Sequence, residues 1–154
     1  MDADRNQLVM ESENRISFSL VSLQEERFEL RPEANPTLDD LRIQYLVESE
    51  IHPDEEYIYV RTGIRYKVEE TVVCECVLGM KFSIDSFHSV ISIDESSKKI
   101  NFTSNLMPTF LNMTYGALRG ALYERVKDTP MESFPLPLIS MQELEKSNHF
   151  QVIR

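Results

Sequence analysis

The sequence is poor in the residues on which many familiar activities depend, and each shortage excludes a class of function. Its 154 residues include no tryptophan, four glycines, three histidines and two cysteines. The glycines are far apart or lie within a helical pattern, so there is no phosphate-cradling loop and no dinucleotide fingerprint. His52, His88 and His149 fall in separate segments without metal-ligand spacing. His88 has Asp85, Ser86 and Ser89 beside it, but groups so close along one chain do not reach the geometry of a catalytic triad. Cys74 and Cys76 are two apart on one strand face, where neighbouring side chains diverge, so they read as small core residues rather than a disulfide or a metal pair. Nothing in the sequence requires an enzyme, and no metal or cofactor is expected.

Positive charge is also scarce. Sixteen Lys and Arg stand against 26 Asp and Glu, a formal net charge of -10. Such a surface repels phosphate backbones, excludes nucleic acid as the first guess and attracts basic polypeptide segments. No apolar run approaches the roughly 20 residues of a membrane span, and the first fourteen residues lack the basic start and apolar core of a signal peptide. The expected compartment is therefore the cytoplasm, where the sequons at Asn101 and Asn112 carry no weight. The acid pairs Glu25-Glu26, Glu55-Glu56 and Glu69-Glu70 read as solvated turn ends.

What is present is alternation. In Thr71 to Ile84 every even position is apolar, from Val72 through Cys74, Cys76, Leu78, Met80 and Phe82 to Ile84, which predicts a long strand with one buried face. Glu75 then falls on the opposite, polar face. Arg15 to Leu23, Leu41 to Ile51 and Tyr57 to Val68 predict three further strands, with Gln24 to Phe28 leaving the sheet after the first. The segment Leu30 to Asp40, with Pro32 and Pro36, is an irregular crossover. Glu69-Glu70 closes a tight antiparallel hairpin. Asp85 to Ser104 holds two short strand candidates around Asp94 to Ser97.

At Leu106 the period changes to that of a helix running to Lys127, with Leu111, Tyr115, Leu118, Leu122 and Val126 on one stripe. There is no charge between Leu106 and Leu118, so the helix is expected to be covered by the sheet on one side and by another subunit on the other. Gly116 and Gly120 form a narrow face that would let a second backbone approach, a candidate oligomer interface beside the plainer reading of ordinary packing. Phe134, Leu136 and Leu138 alternate with prolines in an extended loop that either seals the core or lines a groove. Ser140 and Glu143 form a capping box opening a short second helix. The expected fold is α+β: an antiparallel sheet of four or more strands covered by a long C-terminal helix and a short second one. Residues 15–148 form its single domain, with 1–14 a flexible N-terminus and 149–154 a tail.

This order of elements resembles the SecB family of export chaperones. Arg27 to Glu29 (RFE) resembles that family's SFE, Cys74 to Ile84 (CECVLGMKFSI) its CEVQQGGIFSI, and Thr129 to Leu144 its TFPxLxLxPVNFxAL. Asp85 to Ser104 is longer than the family's equivalent, its acidic tail is missing, and its paired glycines are reduced to Gly79 followed by Met80. The resemblance implies a homotetrameric, ATP-independent holdase that binds unfolded or precursor polypeptides and delivers them to a SecA-type translocation ATPase. By position it places the translocase contact on Glu25, Glu29, Val73 and Glu75, and the client-peptide groove on Phe134, Leu136 and Leu138. The alternative is a non-enzymatic interaction module of the same fold dedicated to one partner, such as an antitoxin.

Overall fold

The computed structural model describes residues 16–31, 33–134 and 136–154. The expected flexible segment 1–14 lies outside these residues, as does Pro135 in the connecting loop. The chain forms β1 (Phe18–Leu30), β2 (Leu41–His52), β3 (Tyr57–Val68) and β4 (Thr71–Ile84), then a helical turn α1 (Phe87–Val90) and a hairpin of β5 (Ile91–Asp94) and β6 (Lys99–Phe102). The long helix α2 (Leu106–Val126) follows, then a 3-10 turn at Pro130–Ser133, the short helix α3 (Met141–Ser147) and β7 (Asn148–Val152). The main sheet has five strands in the order β1-β4-β3-β2-β7, antiparallel except for the β2–β7 pair.

The even positions of β3 and β4 face α2, which crosses the two central strands. Ile58, Val60 and Ile64 lie beside Phe82, Met80 and Cys76 in the ladder, and all six are buried. Phe82 stacks on Phe110 of α2 with ring centroids 3.9 Å apart, and Phe18 meets the same ring edge-on at 5.0 Å. Aromatic contacts of this kind add to the burial that holds helix and sheet together. Cys74 and Cys76 are free thiols in this layer, pushed up to about 12 and about 11, in each case chiefly by burial.

Two expectations are corrected. The acids after Leu23 do not leave the sheet: β1 continues to Leu30, 13 residues in all, through register shifts between Leu20 and Ser22 and between Glu25 and Arg27. Each shift inserts one residue and exchanges the faces of the residues after it. The segment 149–154 is not a loose tail, because β7 adds to the edge of β2 in parallel and Ile153 N–H donates to the Ile51 carbonyl at 2.8 Å. A five-residue strand without internal alternation of burial gives no sequence signal of its own.

Candidate functional site

The segment after α2 begins where Thr129 Oγ1 accepts from Met131 N–H at 3.2 Å, starting the 3-10 turn and burying Met131. Two tyrosines then fasten the extended stretch. Tyr66 of β3 donates to the Phe134 carbonyl at 3.1 Å, and Tyr115 of α2 donates to the Pro137 carbonyl. Burial raises both phenols well above their ordinary range, so they remain donors at every physiological pH. The stretch ends at Ser140, whose Oγ accepts from Glu143 N–H at 3.2 Å as the N-cap of α3.

Pinned in this way, the segment lies alongside the C-terminal half of α2 and leaves a groove of about 320 Å³ between them. Its lining is Leu122, Tyr123, Val126 and Leu136, with Gly120, Arg119 and Glu132 also at its wall. Tyr123 is 57% exposed. Of the three loop residues named for the client groove, Leu136 lines it and is buried, Phe134 is half-buried with its side chain packed against the core, and Leu138 stands clear at 83% exposure. A methyl group added at Gly116 or Gly120 would meet nothing within 4 Å. Among the described residues, nothing covers α2 at Gly116 and Gly120. Sequence reasoning missed Tyr123, whose only signal was an aromatic residue one step off the apolar stripe.

The four positions named for a translocase contact do not come together as a free acidic patch. Glu29 alone presents an open carboxylate, its side chain 63% exposed and 3.9 Å from Arg27. The first register shift in β1 turns Glu25 to the helix side of the sheet, where Arg125 of α2 holds it bidentately at 2.6 and 3.2 Å. Val73 is buried, its carbonyl accepting from Arg31 N–H at 2.9 Å. Glu75 does project from the face opposite α2, but it is only 3% exposed. Arg27 Nη1 donates to it at 2.8 Å and Arg65 Nε holds its other oxygen. Burial raises the Glu75 carboxyl, and the bonds from Arg65 and Arg27 more than reverse this, so its pKa lies below the usual value.

The same outer face carries a second ion cluster. Arg61 of β3 bonds Glu26, Glu48 and Glu50, at 3.0 Å to Glu48 Oε2 and 3.2 Å to Glu50 Oε2. Glu26 reaches it across β4 at Gly79, where the Tyr59 hydroxyl fills the space a β-carbon would take. Only glycine leaves room for the tyrosine in this position.

No protein-family model matches the sequence, and no curated protein matches it either. Among solved structures, the fold is similar to that of the Mycobacterium tuberculosis SecB-like chaperone Rv1957 in complex with a ChAD peptide from the HigA1 antitoxin. The TM-score is 0.50 at 9% identity, over 90% of this chain and 100% of that one. The chain therefore has a diverged SecB-like fold, a five-stranded, mostly antiparallel sheet with a long and a short helix. Among the described residues no helix is long and apolar enough to cross a membrane.

Proposed function

We propose that the protein is an ATP-independent chaperone that binds non-native polypeptide along the groove between α2 and its connecting loop. The observation that carries this reading is the groove itself, floored by the buried side chains of Leu122, Val126 and Leu136 and rimmed by the exposed Tyr123. Large exposed apolar and aromatic surface marks binding sites for other chains. Leu138, just beyond, extends the apolar track to an arriving segment. The net charge of -10 selects basic clients. Self-association belongs to the same reading. Leu20, Val21 and Leu23 are 45, 54 and 55% exposed on the edge strand β1, and the Gly116–Gly120 face of α2 is bare.

The narrower alternative is one dedicated protein partner, and it is favoured over delivery to a translocation ATPase because Glu75 on the outer face and Glu25 on the helix side are both already engaged by arginines of the chain. The structural neighbour's complex with an antitoxin peptide is the kind of partnership this describes.

Fluorescence anisotropy with labelled, reduced and carbamidomethylated lysozyme, a basic protein that then stays unfolded, tests the reading. Wild-type protein binds it without nucleotide, and Tyr123→Ala, which removes an exposed side chain and leaves the core intact, weakens binding about tenfold. Equal affinity of variant and wild type contradicts the groove. Failure of the wild type to bind this and other unfolded chains, together with stoichiometric capture of one folded partner, selects the dedicated-partner reading.

A further inference from the structure

The β2 edge of the sheet is covered by β7, which pairs with it in parallel as a fifth strand. From Asn148 to Val152 the chain lies parallel to Val47–Ile51, and residues facing one another share a side of the sheet. Asn148, Phe150 and Val152 are on the helix side, where Ser49 Oγ donates to Asn148 Oδ1 at 2.9 Å. His149 and Gln151 are on the outer side, opposite Glu48 and Glu50.

The fit is imperfect on both sides. Phe150 is 44% exposed and only tilts against Phe102 with centroids 5.8 Å apart. It stands over a cavity of about 320 Å³ whose apolar lining includes Ile100, Phe102, Met107 and Leu111. On the outer side, three carboxylates, Glu26, Glu48 and Glu50, share the guanidinium of Arg61, and Glu50 also meets His52 Nε2 at 3.1 Å. The strand facing Glu48 and Glu50 supplies no lysine or arginine to balance them. A strand that keeps a polar acceptor at the Asn148 position for Ser49, has bulky apolar residues at the Phe150 and Val152 positions and Lys or Arg at the His149 and Gln151 positions would fill the cavity and pair the surplus acids. Backbone pairing along an edge of this kind is a general means of holding extended polypeptide.

We infer that β7 is a displaceable strap: it covers the β2 edge in the free protein and yields it to an extended client segment that alternates basic and apolar residues. The inference rests on the chaperone reading and names the chemistry of the segment it selects. Because a competent edge is exposed in only a fraction of molecules, the strap weakens apparent affinity by that fraction.

The test uses full-length protein and a labelled nine-residue peptide alternating Lys with Phe or Val, against the same peptide with Glu for Lys. Ile153→Pro removes the N–H that bonds the Ile51 carbonyl, and Val152→Asp places a charge where the strand meets the core. Either should loosen β7 while leaving the four antiparallel strands in place, as circular dichroism and thermal melting verify. The strap predicts that both variants bind the Lys peptide about tenfold more tightly than wild type and discriminate against the Glu peptide. It also predicts that hydrogen exchange of wild type saturated with Lys peptide shows residues 148–153 deprotected and 47–51 still protected. Binding of the peptide with 148–153 protected and with unchanged affinity in both variants overturns the strap and leaves the groove reading standing. Absence of binding to either peptide in wild type and both variants overturns the strap alone if unfolded lysozyme still binds, and both readings if it does not.

Discussion

At Glu75 two opposing effects meet on one carboxylate. Burial penalises its charge, and Arg65 and Arg27 restore it by direct bonds. A carboxyl whose folded pKa is depressed contributes stability that is fully present above its unfolded value of about 4.5 and is lost as pH falls through the folded value. Glu75→Gln should therefore cost about 1–3 kcal/mol at pH 7, limited because both guanidiniums are about half exposed and can turn to water. It should also flatten part of the acid loss below the ordinary carboxylate range. Urea unfolding of wild type and variant at pH 7 and at pH 3 to 4 measures both effects; equal losses of stability between the two pH values would mean that the pair is not the source of acid sensitivity. Placing Glu75 on the face away from the helix needs only the alternation of Cys74 and Cys76. Its burial is not legible in the sequence, because the two arginines come from β1 and β3 and reach it only once the strands are registered.

On the scale of elements, the four antiparallel strands, the long helix and the capped short helix can be read from period alone. Alternation marks the strands, the change at Leu106 marks the helix, and Ser140 with Glu143 marks the cap. The bulges in β1 are not legible, since an inserted residue leaves composition unchanged while exchanging faces, and so position along the chain sets Glu25 beside Glu75 when it lies on the other side of the sheet. The groove is half legible. Phe134, Leu136 and Leu138 are marked by their alternation with prolines, but which of them faces α2 is decided by Tyr66 and Tyr115 pinning the carbonyls between and beside them. Tyr66→Phe and Tyr115→Phe should each cost about 1 kcal/mol by leaving a carbonyl without its donor. Both should speed hydrogen exchange across 134–139 with the central strands unchanged. Protection of 134–139 that stays at the wild-type level in both variants would show that the loop is held by packing alone.

For the whole molecule, the acidic balance repels phosphate backbones and attracts basic polypeptide segments. Among the described residues, exposed apolar side chains stand at Tyr123 on α2 and at Leu20, Val21 and Leu23 along β1. Leu20, Val21 and Leu23 are part of that surface, so Leu23→Glu should reduce the molar mass measured by light-scattering size exclusion toward that of one chain while preserving the fold. An unchanged mass would place any self-contact elsewhere.

The measurement that bears most directly on the central claim is light scattering while an unfolded precursor is diluted into buffer, with wild type or Tyr123→Ala at matched concentrations and no nucleotide. A chaperone that works through the α2 groove suppresses the scattering as wild type and does so far less as Tyr123→Ala. Undiminished aggregation with the wild type, or equal suppression by the two proteins, would contradict the groove as the site of chaperone action.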